Sequence, residues 1–141
     1  MISLQFETSD GLTLANPSTE QISEALASLR SGQDSFAILS KGEETYVQVA
    51  GSPAEGFILE YRDGSESNHF RAQASLLPLS TIQDIFEKYA QGDATWRSRV
   101  TWEPWGSDSQ TVTRSGLPFP AIIAVVLVVL VVAWVAWLAA A

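Results

Sequence analysis

The fold is decided by residues 45–61, TYVQVAGSPAEGFILEY, in which two short apolar runs flank a loop of glycine, serine and proline. The runs 45–50 and 57–61 are rich in β-branched and aromatic residues, and such a composition is typical of strands. The loop 51–56 between them is too short for a crossover connection, so the two strands can pair only in an antiparallel way. We therefore expect an antiparallel hairpin at the centre of the domain.

Further strands are predicted on both sides of this hairpin. Residues 35–39 and 67–74 have strand character, and the turn-forming sequences 41–44 and 62–65 connect them to the hairpin. The four strands together predict a β-meander. Its inward-facing side chains are expected to be Phe36, Ile38, Val47, Val49, Phe57, Leu59 and Tyr61.

The N-terminal part adds two short strands and a helix. Residues 2–6 alternate apolar and polar side chains, and residues 12–14 are expected to pair back on them. The helix begins near residues 16–18, either with Asn16 as the cap before Pro17 or with a capping box between Ser18 and Gln21. Its apolar residues recur at helical spacing up to Leu29, and Gly32 is predicted to end it.

A second amphipathic helix follows the meander. Ser80 and Gln83 predict a capping box, and Gly92 is expected to close the helix after one apolar stripe. Residues 99–103 are expected to add a last strand. The sequence therefore predicts an α+β domain, in which an antiparallel β-meander sheet carries two amphipathic helices, together with one C-terminal transmembrane helix.

The C-terminal residues 117–141 carry no charged side chain. A helix of this length exceeds the roughly 20 residues that cross a bilayer, and its apolar side chains favour insertion by about −4 to −8 kcal/mol. Three regions are therefore expected: a soluble domain in residues 1–103, a polar linker in residues 104–116 and a transmembrane anchor in residues 117–141.

The orientation of this anchor is predicted by the basic residues near it. Arg97, Arg99 and Arg114 precede the span and none follows it, which indicates that the N-terminal domain is cytoplasmic. The N-terminus lacks both the basic and the continuous apolar region of a secretory signal. We expect a tail-anchored, single-pass protein of the cell membrane that contacts the lipid bilayer through this helix.

The composition argues against most catalytic chemistry. The chain has no cysteine and one histidine, His69, and it contains no phosphate-binding glycine loop or other motif with catalytic spacing. No enzyme activity, cofactor or metal is expected, and His69 is expected to point outward or to be hydrogen-bonded in a strand. The net charge of −8 disfavours nucleic acid and favours a basic protein as partner.

Aromatic residues near the linker are the candidate partner-binding residues. Tryptophan is common at binding hot spots because it buries a large area and keeps one hydrogen-bond donor. The alternative for Trp96 and Trp102 is that they close the small core, whereas Trp105 is better placed to contact lipid head groups or a partner. The predicted partner-binding residues are Trp96, Trp102, Glu103 and Trp105.

The order of these elements resembles small immunity proteins of bacterial polymorphic toxin systems over about residues 1–103. The residues that carry the resemblance are 16–18, 46–48 with Gly51, 57–61, 69–72 and 102–103. The resemblance implies an α+β domain that binds and blocks a toxin, often one acting on nucleic acid. An acidic surface suits such a task, because the toxin's own site attracts phosphates.

A second hypothesis is an accessory subunit of a larger bacterial membrane complex, whose assembly it stabilises. Its span would pack against neighbouring membrane subunits through small residues that allow close helix approach. The residues predicted to pack in the membrane are Ala121, Ala124, Ala133 and Ala136 together with Trp134 and Trp137.

Overall fold

The computed structural model describes residues 2–105, which belong to one compact unit. These residues form seven strands, two α-helices and two short 3-10 helices. The strands are β1 (Gln5–Thr8), β2 (Thr13–Ala15), β3 (Phe36–Gly42), β4 (Thr45–Ser52), β5 (Gly56–Asp63), β6 (His69–Ala72) and β7 (Trp102–Pro104). The helices are α1 (Thr19–Ala27) and α2 (Leu79–Gln91), and the 3-10 helices are Glu66–Asn68 and Ala94–Arg99.

The predicted anchor lies outside the described residues, as does the linker beyond Trp105. The same holds for the alanine and tryptophan residues that were assigned to helix packing in the membrane. Within residues 2–105, no helix has the length and apolar character needed to cross a membrane.

All seven strands form one antiparallel sheet in the order β2-β1-β3-β4-β5-β6-β7. Strands β3 to β6 pair with their sequence neighbours, which confirms the predicted meander, and the β1–β2 hairpin extends the sheet beside β3. Helix α1 connects β2 to β3, and α2 lies between β6 and β7. The α+β class with two amphipathic helices is confirmed.

Both helices pack on the same face of the sheet and share one core with it. Phe86 of α2 meets Phe6 of β1 edge-on, with ring centroids 6.5 Å apart, and neither side chain is exposed. From the central strands, Val47, Val49 and Leu59 enter the same core. The apolar stripes of the helices therefore cover one side of the meander.

Both inward-facing predictions for β3, Phe36 and Ile38, were wrong, because neither residue belongs to the core that the sheet shares with the helices. Leu39 pairs directly with Val47, and Ala37 pairs with Val49, so these two residues of β3 face the core. Ile38 instead lies opposite Gln48 on the other face. A shift of one residue in strand pairing reverses every side chain, and only the register with β4 determines which set of β3 is inward.

The start of α1 follows the capping-box alternative. The Ser18 hydroxyl accepts the Gln21 N–H, and the Gln21 side chain accepts the Ser18 N–H. Asn16 has a left-handed backbone with φ 48°, and its side-chain oxygen accepts the Leu4 N–H at 2.9 Å. Asn16 therefore ties the helix entry to the first strand and does not cap the helix.

The predicted end of α1 at Gly32 was wrong, because the helix ends at Ala27. Both the backbone N–H and the hydroxyl of Ser28 donate to the carbonyl oxygen of Glu24. Serine side chains compete with the helical backbone in this way, which favours termination. The helix therefore stops one turn early.

The predicted capping box at Ser80 and Gln83 does not form. Helix α2 already begins at Leu79, after Pro78, and Gln83 donates its side-chain amide to the Ser23 carbonyl at 3.2 Å. This contact joins α2 to α1. The predicted end at Gly92 is confirmed, and that residue has the left-handed conformation expected of a C-terminal glycine, with φ 74°.

Two predicted strands are shorter than expected because 3-10 helices replace part of each. Residues 67–74 were predicted as one strand, but Glu66–Asn68 forms a 3-10 turn and β6 is restricted to His69–Ala72. Residues 99–103 were also predicted as a strand, but the helix Ala94–Arg99 precedes a β7 that starts only at Trp102.

The β4–β5 hairpin depends on Gly51. Its φ of 126° lies in a region that L side chains rarely adopt, and a Cβ atom there would lie 2.1 Å from the carbonyl oxygen of Gly56. Gly32, in contrast, has an ordinary φ and no heavy atom within 4 Å of a built Cβ. A methyl group at position 51 would therefore clash with the backbone, whereas one at position 32 would lie in open space.

Replacing Gly51 with alanine is expected to lower the free energy of unfolding by about 3 kcal/mol or more, from backbone strain together with the clash against Gly56. Gly32→Ala is the matched control and should leave stability unchanged or raise it by about 0.4–1 kcal/mol. Thermal unfolding followed by circular dichroism measures both. Equal stability of the two variants would contradict this account of the hairpin.

Candidate functional site

One face of the central sheet is covered by neither of the two α-helices described in residues 2–105, because the buried residues of both helices belong to the core on the other face. Alternation along β4 and β5 directs Val47, Val49 and Leu59 toward the helices, so Gln48 and Glu60 belong to the opposite face. We call that side the polar face. Its members are Tyr46, Gln48, Glu60, Arg62, His69, Arg71, Glu103 and Trp105.

The register of the strands arranges these residues in two rows across the sheet. Gln48, Glu60, Arg71 and Glu103 are successive partners from β4 to β7. The neighbouring row joins Tyr46, Arg62 and His69. It is extended by Trp105, whose backbone N–H donates to the His69 carbonyl at 2.9 Å.

Glu60 is the centre of the first row and is 1% exposed. Its Oε2 accepts the Gln48 side-chain amide at 2.5 Å and lies 3.5 Å from His69 Nε2. The second distance is at the outer limit for a hydrogen bond, and no such bond is formed. Glu60 is therefore a buried carboxylate that is held through one of its two oxygens.

Several buried polar atoms of this face have no hydrogen-bond partner among residues 2–105. They are Tyr46 Oη, Gln48 Oε1, Glu60 Oε1, Arg62 Nε and His69 Nε2. An unpaired buried group costs about 1–3 kcal/mol, and native proteins contain few of them. Five such atoms on two adjacent rows mark a region where stability has not been the only constraint.

Trp105 covers the edge of this cluster. Its ring stacks on the His69 imidazole with centroids 5.0 Å apart and an angle of 17° between the planes. The His69 side chain is buried, whereas Trp105 is half-buried and so exposes part of its ring. Trp105 thus combines a fixed position with a surface that a partner can contact.

Ion pairs lie around the buried centre. Arg71 Nε donates to Glu103 Oε1 at 2.6 Å, and Arg62 Nη1 donates to Glu44 Oε2 at 2.6 Å. These pairs are partly exposed, so each contributes little to stability by itself. Their main effect is to fix the positions of charged groups around Glu60.

The structure divides the predicted partner-binding residues into two groups. Trp96 and Trp102 meet the ring of Tyr61 edge-on at 5.0 and 4.7 Å, on the helix-bearing side. Trp96 is buried, so the alternative that these indoles close the core describes their position. Glu103 and Trp105 instead belong to the polar face.

Gln48 and Glu60 were not predicted from the sequence as members of the candidate site. Each stands between apolar strand residues, and a polar residue at such a position is ordinarily taken as solvent-facing. Their direct pairing, however, follows from the hairpin around the loop 51–56. The signal that could have found them is therefore a matched polar pair in the two central strands.

His69 was expected to point outward or to be hydrogen-bonded. It does lie on the face away from the helices, but it is only 4% exposed, and its Nε2 has no hydrogen-bond partner. Within residues 2–105, no group of three or more histidine, aspartate and glutamate side chains is arranged to hold a metal ion.

Comparisons with known proteins give no relative for this chain. No family model matches it, and neither the curated proteins nor the solved structures contain a match.

The polar face makes a prediction for alkaline solution. Burial raises the pKa of Tyr46 to about 12, with Glu60 and Glu44 adding to the rise and Arg62 opposing it. The unfolded tyrosine loses its proton near pH 10, so between pH 10 and 12 the folded state binds more protons. This contribution to stability is complete below pH 10 and is lost as the pH rises toward 12, by up to about 1.4 kcal/mol per pH unit.

The variant Tyr46→Phe removes this contribution. Burial also raises the pKa values of Tyr61 and Tyr89. The slope of the free energy of unfolding against pH should therefore decrease by roughly one third and should not fall to zero. Urea unfolding at a series of alkaline pH values measures the slope. An unchanged slope in Tyr46→Phe would contradict the burial of this hydroxyl.

Proposed function

We propose that this chain is a membrane-anchored, non-catalytic binding module that holds a basic protein on its polar face. The observation that carries the proposal is the set of unpaired buried polar atoms around Glu60, beside the half-exposed ring of Trp105. A partner that supplied hydrogen-bond donors would offset the cost of the two unpaired oxygen acceptors in this set, Gln48 Oε1 and Glu60 Oε1.

The chemistry of the free atoms favours a basic partner. Glu60 Oε1 and Gln48 Oε1 accept hydrogen bonds and cannot donate them. A lysine or arginine side chain would satisfy both atoms and would pair with the carboxylate. The net charge of −8 acts in the same direction over longer distances, because it would steer a basic protein toward the domain.

The burial of Glu60 and His69 and the lack of a hydrogen bond between them also favour a binding role over catalysis. Both side chains are buried, and the pair lacks the mutual hydrogen bond by which a base is usually oriented. Trp105 is stacked against one of them.

An immunity-like role is the specific form of this proposal. The resemblance in residues 1–103 implies a domain that binds and blocks a toxin, and a toxin acting on nucleic acid would present a basic site. An acidic domain with a central carboxylate is suited to cover such a site. Under this proposal the C-terminal span keeps the domain at the cytoplasmic side of the cell membrane.

The second candidate is an accessory single-span subunit that stabilises a larger membrane complex. It is favoured by the alanine pairs 121 with 124 and 133 with 136, whose spacing allows close approach of membrane helices. In that case the partner would be bound by the span, and the polar face would contribute little to the affinity.

The partner can be recovered with the chain after gentle detergent extraction, and its binding can then be measured. The two candidates predict different effects of salt and of substitutions on that binding. For a basic partner on the polar face, association should slow as the ionic strength rises past about 0.15 M, because the Debye length falls below roughly 8 Å. Trp105→Ala should weaken binding about tenfold or more, as expected for a hot-spot tryptophan. Kinetic binding measurements on the full chain in detergent provide both quantities.

Leu76→Ala is the control, since Leu76 is an apolar residue that is 57% exposed and lies beside Gly56, which is not a member of the polar face. Its affinity should equal that of the unmodified chain. Binding that resists salt and Trp105→Ala but is lost in Ala124→Leu would reject the polar face and favour the accessory subunit.

A further inference from the structure

A cavity of about 270 Å³ lies on the opposite, helix-bearing side of the sheet. It is formed where the end of α2 and the 3-10 helix Ala94–Arg99 meet the ends of β3, β4 and β5. Its chemistry comes from Lys41, Tyr61, Asp63, Tyr89, Trp96 and Arg97. These residues are not members of the polar face. Arg62, which is a member of that face, also lines the cavity, but its guanidinium is paired with Glu44.

Two cations are already held against the aromatic walls of this cavity. The Lys41 ammonium lies 4.2 Å from the centroid of the Tyr89 ring, and the Arg97 guanidinium lies 5.2 Å from that of Trp96. Both distances are within the range of cation–π attraction. Because the ring faces already have cations, a positively charged ligand would be repelled there.

The charges of the cavity do not balance. Arg97 pairs with Asp63 at 2.5 Å, whereas Lys41 makes no hydrogen bond or ion pair with any residue in 2–105. Burial lowers the pKa of Lys41, with Asp63 opposing the shift and Arg97 adding to it. One positive charge therefore remains without a counter-ion in a partly desolvated position.

The Tyr89 hydroxyl is a second, independent sign of a ligand. Tyr89 is only 4% exposed, it lines the cavity, and its hydroxyl has no hydrogen-bond partner in the part of the chain that the structure describes. A hydroxyl in this position can donate to an acceptor inside the cavity.

We infer that this cavity binds one carboxylate group, which pairs with the Lys41 ammonium and accepts a hydrogen bond from the Tyr89 hydroxyl. A single negative charge balances the one unpaired cation. A phosphate dianion would bring a second charge beside Asp63, so the charge balance favours a carboxylate. The cavity volume lies just below the common range for drug-sized ligands, which fits a small acid or one acidic side chain.

Lysine-selective ¹³C NMR of the full chain in detergent tests this inference, with sodium benzoate as the probe. The chain contains two lysines, Lys41 in the cavity and Lys88, which pairs with Asp84 on α2. Benzoate should shift the Lys41 Cε resonance in a saturable way, with a Kd on the order of 1–10 mM for so small a ligand. The Lys88 resonance serves as an internal reference and should not move.

Bound benzoate should also raise the pKa of Lys41, because a nearby negative charge favours the protonated amine. Arg62, Asp63, Arg97 and the hydroxyls of Tyr61 and Tyr89 also line this cavity, so the comparison is made with and without benzoate in the same protein. A pKa of Lys41 that does not change at saturating benzoate would overturn the inference.

Two variants separate the ligand contacts from folding. Lys41→Met should reduce benzoate affinity about tenfold or more, and Tyr89→Phe, which removes only the hydroxyl, should reduce it several-fold. Lys88→Met is the matched control and should bind like the unmodified chain. Ligand-detected NMR gives all three affinities, and Tyr89→Phe keeps the test decisive if Lys41→Met does not fold.

Two outcomes reject the proposal. Inorganic phosphate binding more tightly than benzoate would contradict the assignment to a carboxylate, and the absence of saturable benzoate binding up to about 50 mM would show that there is no such site.

A second measurement identifies the source of the carboxylate. If it is an acidic side chain of a partner protein, benzoate and Lys41→Met should both weaken that partner's binding. If it is a small acid, partner binding should not change, so failure of the polar-face proposal and failure of this one can be told apart.

Discussion

The structure depends on the two-residue alternation of the paired central strands β4 and β5. Val47, Val49 and Leu59 have to enter the core beneath α1 and α2, and this requirement forces Gln48 and Glu60 to the other face. Gly51 makes the pairing possible, because only a residue without Cβ fits beside the carbonyl of Gly56. The position of the polar face is therefore a direct consequence of how the hydrophobic core is built.

The two sides of the sheet differ in what they contribute. On the helix-bearing side, apolar and aromatic side chains form a continuous core, and burial of their surface supplies most of the stability. On the polar face, a buried carboxylate and several unpaired polar atoms lower the stability of the fold. Proteins often retain such unfavourable groups where function requires them, at a cost in stability. This difference is the physical basis for proposing that the polar face binds a partner.

Much of the fold could be predicted from the sequence, because local signals determine it. The hairpin loop, the capping box of Ser18 and Gln21, and the terminating Gly92 each act within a few residues. The inward side of β3 could not be predicted, since it depends on the register with Val47, and neither could the early end of α1 at Ser28. For the candidate site, Glu103 and Trp105 were predicted from the sequence, and the structure places both on the polar face. Gln48 and Glu60 were missed because their burial results from tertiary structure, and a strand pattern alone assigns them to solvent.

The most direct test of this account is the free energy of unfolding of Glu60→Gln. Glutamine has nearly the same shape and can still accept the Gln48 amide, so the change removes the buried charge and little else. If the polar face is retained for binding, the variant should be as stable as the unmodified protein, or more stable by about 1 kcal/mol, because a buried charge is costly. A loss of about 3 kcal/mol or more would show that Glu60 is required to hold the fold together, and would contradict the account.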